Sequence, residues 1–480
     1  MVDDRAEMGV EDGVLLFNSH RFLFLFLPLV LVVAMRLRAR ALLGWITLAS
    51  FVFYAYAGHA WFLLPMLFTT ALDFFLAPAI AVAEGPRKLR LLWVSLCGNL
   101  GLLAYFKYGG LLAHSLQGFV VLAGGAGDAT LFTLFDVVLP AGISFYTFQT
   151  LSYVIDVYRG ECPAERDFLT FAGFVSFFPH LVAGPLTRHN QLIPALERIA
   201  ETGVRPRWRD GLYLFAMGLS KKVLIADRVA QIIDPVLAGD RFDLVSGWIA
   251  MLGYAIQIYF DFSGYSDMAI GLGRLFDVEL PQNFDSPYQA KNPSDFWRRW
   301  HMTLSAWLRD YLYISLGGNR CTPGRRSFNL MATMVLGGLW HGASWTFALW
   351  GGLHGLMLIV YQRYGHTWDR LPRAAQRAVL FLLICVTWIP FRATSFGQCA
   401  RWMRSLVGVS GLHGVLGRGD LSKAVALVSI GLVVANALPP ASKLTRLESW
   451  GALRQLGLGV MTAIAVLWMT QSSRFLYFQF

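Results

Sequence analysis

The stretch GGLWHGASWTFALWGGLHG, Gly337–Gly355, lies inside a run of 36 residues, Ser327 to Gln362, without one charged side chain. As a single helix that run would be about 54 Å long at about 1.5 Å per residue, whereas the hydrocarbon core of a bilayer is about 30 Å thick. The run therefore either tilts strongly or divides into two segments meeting near Gly342. Gly337, Gly338, Gly351 and Gly352 let other helices approach closely. Two histidines, His341 and His354, interrupt the apolar pattern. An ionisable side chain at bilayer depth is expensive and as a rule faces a partner or a cavity. His341, between Trp340 and Gly342, is expected within the protein rather than against lipid. His354, in GGLHG, reads more simply as a helix-end residue near water.

The rest of the chain has the same character. It is 480 residues long, 56% apolar and 15% charged, with 16 Trp and 36 Phe, where a soluble domain averages about 25% charged. Apolar runs of bilayer length, counted with their flanks, recur from Phe22–Met35 through Trp61–Val82 and Trp248–Phe276 to Val460–Thr470. A further run, Leu212–Leu237, is interrupted by Lys221, Lys222, Asp227 and Arg228 and reads as two shorter pieces. The fold class is an all-α polytopic membrane protein with about ten to thirteen membrane and re-entrant segments. We expect one integral-membrane domain over 1–480, without repeats or a soluble appendage. The acidic flank Asp3, Asp4, Glu7, Glu11 and Asp12 is not a secretory n-region. Arg36, Arg38 and Arg40 after the first run hold that end in the cytoplasm, and Arg87, Lys88 and Arg90 agree two spans later, making 1–13 an extracytoplasmic tail. The net charge of +11 is thus mostly an orientation signal, and no soluble basic domain suggests nucleic acid as a partner. The five cysteines form no CxxC pair, so neither a disulfide framework nor a zinc site follows, and no metal is expected.

Residues 286–326 are the most informative polar interruption. They carry Lys291, Arg298, Arg299, Arg309, Arg320, Arg325 and Arg326 against Asp295 and Asp310, a cytoplasmic signature. Within them DFWRRWHMTLSAWLRDYLY predicts one amphipathic helix on the membrane surface, with Phe296, Trp300, Leu304, Trp307 and Tyr311 on its apolar face. His301 falls in a second row, with Trp297, Leu304 and Leu308. The uncharged segment that follows, 327–362, returns to the membrane. Upstream, YAIQIYFDFSGYSDMAIGLGRLF places Gln257, Asp261 and Tyr265 on one helical face and Ser263, Asp267 and Gly271 on another. The structural alternative for both aspartates is a packing hydrogen bond from Ser, Tyr or Trp on neighbouring helices.

A histidine in a dry cavity stays neutral, and a neutral imidazole can take a proton from a hydroxyl. The chain has no GxSxG elbow, no HExxH and no phosphate-binding GxxxxGK[ST]. What remains is an intramembrane histidine beside a cytoplasmic basic surface.

Several motifs, FDFSGYSDMAIGLGRLF, NFDSPYQAKNPSDFWRRWHMTLSAWLRDYLYISLGGNR, GGLWHGASWTFALWGGLHG and the closing FLYFQF, resemble the membrane-bound O-acyltransferase (MBOAT) superfamily, in the bacterial branch typified by the alginate O-acetylation membrane protein. VLLFNSHRFLFLFLP, LPAGISFYTFQTLSYVIDVYRG and FPHLVAGPLTRHNQL fit the same branch, so the likeness extends from residue 14 to 480. The resemblance implies a ring of tilted helices around a thin centre. It implies that His341 in LWHG is the essential histidine and His301 in RRWHMTLS its partner. Asp310 and Tyr311 in RDYLY match family positions of more structural character. Asp261, Asp267, Trp340 and Ser344 are candidate supporting residues. Arg298, Arg299, Arg309 and Arg320 would meet an anionic donor, acetyl-CoA or an acyl carrier thioester, with no tightly bound cofactor.

The expected function is transfer of acetyl groups from that cytoplasmic donor across a bacterial inner membrane, for O-acetylation of a secreted polysaccharide such as alginate. The expected partners are extracytoplasmic acetyltransferase subunits, polysaccharide synthesis and export machinery, and membrane lipid. The rivals are carrier-protein-dependent D-alanyl transfer to an envelope polymer, a non-catalytic polysaccharide export channel, and a structural scaffold.

Overall fold

The computed structural model describes residues 15–122, 137–437, 439–444, 451–471 and 475–476. The tail at 1–13 and most of FLYFQF lie outside these. Among the described residues every regular element is a helix. Five helical stretches are long and apolar enough to cross a membrane: Ala39–Ala57, Ala60–Val82, Gly85–Val121, Arg373–Arg392 and Arg418–Ala437. Two shorter apolar helices, Phe22–Ala34 and Gln455–Trp468, coincide with further runs read from the sequence. The remaining apolar runs are also largely helical, but Asp261, Asp267 and Arg274 within Leu244–Leu275, and Arg325 and Arg326 at the start of Pro323–His341, lower their mean hydropathy. Phe75, Val82 and Leu64 are more than half exposed, as outward faces bathed in lipid would be. The fold is that of an all-α polytopic membrane protein.

The chain forms two compact units. One draws on residues up to Tyr213 together with Ala269–Pro281, the other on Leu214–Met268 and the chain from Gln282 onward. In the first, three helices are tied by a buried polar cluster. Asp73 of Leu63–Val82 accepts from Ser95 Oγ at 2.5 Å and from Asn99 Nδ2 at 2.9 and 3.1 Å. Thr150 of Ile143–Arg159 then donates to Asn99 Oδ1 at 3.2 Å. Each of these side chains is buried, and in an apolar surround each depends on the others for its hydrogen bonds.

The second unit holds both histidines of the uncharged run. That run does divide, with Pro323–His341 ending at Gly342 and a new helix, Trp345–Trp368, beginning behind it. Gly342 is extended, and a Cβ there would lie 2.1 Å from the Phe347 ring. Ser344 caps the second helix, its Oγ accepting from Thr346 N at 3.3 Å. The two helices pack backbone to backbone. A Cβ on Gly338 would sit 2.3 Å from Phe347 O, and one on Gly351 2.2 Å from Met334 O. These glycines therefore serve close approach, as the sequence predicts.

The expected amphipathic helix across 295–313 is not continuous. Pro293–Trp297 stops, His301 takes left-handed backbone angles (φ 43°, ψ 53°), and Met302–Trp307 restarts before a π-helical Leu308–Tyr313. A non-local strand of chain overrides the helical period here. Asp285 N donates to Arg299 O at 3.0 Å and Met302 N to Asn283 O at 2.9 Å. The apolar face packs against protein: Phe296, Trp300 and Leu304 are buried, and the Trp300 ring lies 4.9 Å from Trp388.

Candidate active site

The helix break at Gly342 and the kink at His301 bring the two histidines together. Their ring centroids are 6.1 Å apart, with His301 0% and His341 4% exposed. The walls are aromatic. Phe262 meets the His301 ring edge-on at 4.7 Å, Trp350 and Phe391 meet His341 at 5.2 and 5.5 Å, and Trp340 lies 5.0 Å from His341 and 6.0 Å from His301. Trp340 thus belongs to the site. Ser344 is used as a helix cap and as a hydrogen-bond partner of Thr346 Oγ1, at 3.0 Å.

Asn283 fixes which nitrogen of His301 carries the proton. Its side-chain oxygen accepts from the Thr303 backbone N–H at 3.3 Å and from Thr303 Oγ1 at 2.9 Å. A backbone N–H can only donate, so the atom it meets is the carbonyl oxygen of the amide. His301 Nδ1, 3.2 Å from the same oxygen, must then donate as well, and the lone pair of the neutral ring sits on Nε2. Burial pushes the imidazole well below its ordinary pKa, which keeps the ring neutral. The amide nitrogen of Asn283 donates to Ser266 Oγ at 3.3 Å, anchoring this support to the Leu244–Leu275 helix. Asn283, in a loop after Pro281, has no periodic neighbours that would single it out in the sequence.

Asp261 and Asp267 have lysine partners rather than the Ser, Tyr or Trp donors considered above. Lys221 Nζ is 2.5 Å from Asp267, and Lys222 Nζ is 2.5 Å from Asp261 and 2.8 Å from Asp227. The lysines lie in a π-helical segment, Lys221–Ala226, between Trp208–Ser220 and Asp227–Gly239, so Lys221, Lys222 and Asp227 of the interruption are in ion pairs, buried at Lys222 and half-buried at Lys221. Gly218 and Gly264 allow the approach, since a Cβ on Gly218 would fall 2.4 Å from Gly264 O. Asp261 also accepts from the backbone N–H of Leu476 at 2.9 Å. The neighbouring Phe475 ring stacks on Tyr265 at 4.7 Å and lies 5.8 Å from Phe262, itself a wall of the histidine site.

A cavity of about 710 Å³ opens on the Pro323–His341 helix, away from the histidine rings themselves. Arg298, Arg309, Arg326 and Arg363 line it, with Tyr361 and Trp297. Its wall also includes Met334, seven residues before His341 on the same helix, or about 10 Å at the helical rise. Of the four arginines expected from the sequence, Arg298 and Arg309 are in this wall. Arg299 instead pairs with Asp295 at 2.8 Å and donates to Asp285 O at 3.1 Å, and Arg320 is exposed outside the lining. Arg363 falls beyond the basic stretch, where it stood out only as the end of the uncharged run. Asp310 binds its neighbour Arg309 at 2.6 Å, and Tyr311 packs on Trp307 at 5.2 Å. Both have structural contacts.

His354 is not at a wet helix end. It lies inside Trp345–Trp368, 1% exposed, among Trp350 at 4.8 Å, Trp297 at 5.1 Å and Phe296 at 5.9 Å. The sequence hides this because only the return helix Arg373–Arg392 supplies its partner, Thr387, whose Oγ1 is 3.1 Å from His354 Nε2.

The family model described as MBOAT, membrane-bound O-acyltransferase family, matches residues 163–389, which include both histidines of the site. The chain is 41% identical over 351 residues to the probable alginate O-acetylase AlgI of Pseudomonas aeruginosa, covering 72% of this chain and 66% of that protein. It is 36% identical over 405 residues to the peptidoglycan O-acetyltransferase of Helicobacter pylori, 77% and 74% of the two chains. It is 24% identical over 271 residues to the teichoic acid D-alanyltransferase of Bacillus subtilis, 52% and 66% of the two. The chain thus spans about two thirds of the length of the AlgI protein. The paired histidines therefore sit in an O-acyltransferase, and the chain belongs to the membrane-bound O-acyltransferase family.

Proposed function

We propose that this protein moves acetyl groups from a thioester donor on the cytoplasmic side of a bacterial inner membrane toward a secreted polysaccharide, with His341 and His301 at the reacting centre. One observation carries the reading: histidines forty residues apart in sequence pack together among aromatic rings, and an arginine-lined cavity opens on the helix that carries His341. A centroid separation of 6.1 Å is ordinary ring-packing contact, so both imidazoles can reach one reacting group placed at their edges. In this scheme His341 takes the proton of an acceptor hydroxyl. The hydroxyl oxygen attacks the thioester carbonyl carbon, forming the new C–O bond. The tetrahedral intermediate then collapses with cleavage of the C–S bond. The thiolate leaves as a thiol, taking the proton from the imidazolium, and His301 orients or stabilises it.

The donor is acetyl-CoA or an acyl carrier thioester. Its anionic phosphates suit Arg298, Arg309, Arg326 and Arg363. The relatives' names support O-acetylation of a polysaccharide. Extracytoplasmic acetyltransferase subunits and the polysaccharide synthesis and export machinery are its proposed partners. D-alanyl transfer has only the more distant likeness in its favour.

The test is ester-linked acetate on the host's secreted glycan. A strain lacking the gene is compared with the same strain carrying wild type, His341→Ala or His301→Ala at matched membrane levels. We expect His341→Ala to lower acetate by about 10²-fold or more, the usual contribution of a general base, while polymer secretion continues. Full acetylation by His341→Ala would refute the mechanism. Loss of secretion itself would favour the export channel.

A further inference from the structure

His354 lies one aromatic ring away from His341: Trp350 is 5.2 Å from His341 on one side and 4.8 Å from His354 on the other. Its tautomer is also fixed. The single hydroxyl hydrogen of Thr387 goes to Ile384 O at 2.7 Å, so toward His354 this oxygen accepts, at 3.1 Å. Nε2 of His354 therefore carries the proton and Nδ1 the lone pair.

That lone pair is buried and meets no donor among the described residues. The indole N–H groups of Trp297 and Trp350 are likewise buried without an acceptor among them. The three rings lie within 6 Å of one another. Buried polar groups are nearly always satisfied, and an unsatisfied set calls for an explanation. This set offers two donors and one acceptor, the complement of a secondary amide, whose C=O accepts and whose N–H donates. Trp297 also lines the arginine cavity, so the set stands between that cavity and His341.

We infer that Trp297, Trp350 and His354 form a subsite for the amide of the donor's thiol-bearing arm nearest the sulfur, His354 Nδ1 accepting its N–H and the indoles donating to its C=O. The inference rests on the thioester-donor reading above. Extended, such an arm places its first amide nitrogen about 5 Å from the thioester carbonyl, with bonds of peptide-like length. That is the spacing of one ring in the series His341, Trp350, His354. His354 is then a positioning residue: it holds the arm and takes no part in the acyl transfer.

The test is equilibrium binding to the full-length protein in lipid nanodiscs. The probes are acetonyl-CoA, a thioether that keeps the carbonyl, and an analogue in which two methylenes replace the amide nearest the sulfur. Wild type is expected to prefer the amide-bearing probe by about 10-fold or more, the scale of a buried hydrogen bond. His354→Leu should bring the two probes within about twofold, by removing that hydrogen bond. His354→Gln, which keeps an acceptor for the arm and a donor for Thr387, should retain the preference. Trp297→Phe, at a half-buried wall position, should reduce the preference even where His354→Leu fails to fold. An undiminished preference in His354→Leu, or in Trp297→Phe where His354→Leu cannot be prepared, would overturn the subsite and leave the donor reading standing. Failure of wild type to bind either probe would overturn the subsite and sink the CoA-donor reading with it.

Discussion

At the scale of single residues, His301 combines two constraints in one position. Its left-handed backbone is uncommon for a residue with a Cβ, and such strain persists only where surroundings over-determine it. Here Asn283 does so by holding the His301 ring and the backbone of Met302 and Thr303. Asn283→Ala removes the acceptor of three donors, and a buried donor deprived of its acceptor costs about 1–3 kcal/mol. We expect a lower melting temperature in detergent and an acetylation defect of at least about 10-fold, the size of one such lost contact. Asn283→Asp keeps an acceptor for Nδ1 and should favour the imidazolium, giving an altered pH dependence of activity with smaller loss of stability. An unchanged pH profile in Asn283→Asp would argue against Asn283 setting the His301 tautomer.

At the scale of elements, the sequence was legible where period and punctuation agree. The division at Gly342 followed from the length of the uncharged run, and the close helix packing from its glycines. It was misleading over 295–313, where a regular apolar stripe predicted one helix and backbone pairing with 283–285 broke it. Lys221 and Lys222 were visible only as blemishes in an apolar run, because Asp267 and Asp261, some forty residues away, leave no local pattern. Lys222 is the more informative of the two. Removing it takes from Asp227 and Asp261, both buried, the cation they share. Breaking a buried pair in this way costs about 3–5 kcal/mol, so Lys222→Met should abolish stable membrane accumulation. Lys222→Met with Asp227→Asn and Asp261→Asn should recover much of it, as immunoblotting of membranes at equal expression would show. Equal accumulation of Lys222→Met and wild type would mean the network has no part in stability.

For the whole molecule, composition alone identified a polytopic helical membrane protein, because few charges spread over many apolar runs leave no other class. Which residues meet at the site was legible only in part. His341 was marked by its improbable place in an apolar run, and His301 was proposed as its partner from the family resemblance. Arg363, Asn283 and the true setting of His354 depend on chain returns that a linear reading cannot register. The basic residues of 286–326 were read as one surface, and folding sorts them. Arg298 and Arg309 face the cavity, Arg299 binds its own loop, and Arg320 stays outside.

The aromatic packing around the histidines also gives the protein an optical handle. Trp350 and Trp388 stack 5.8 Å apart at an interplanar angle of 19°, and Trp300 lies 4.9 Å from Trp388. Indoles held this close and this rigidly couple their excited states, so the near-ultraviolet circular dichroism of the folded protein should carry a strong tryptophan band originating at these rings. Ligand entering beside Trp350 should change that band and the tryptophan fluorescence without any added label. Trp388→Phe should remove most of the band while the far-ultraviolet helical signal is kept. Ligand binding could then be followed by the protein's own light.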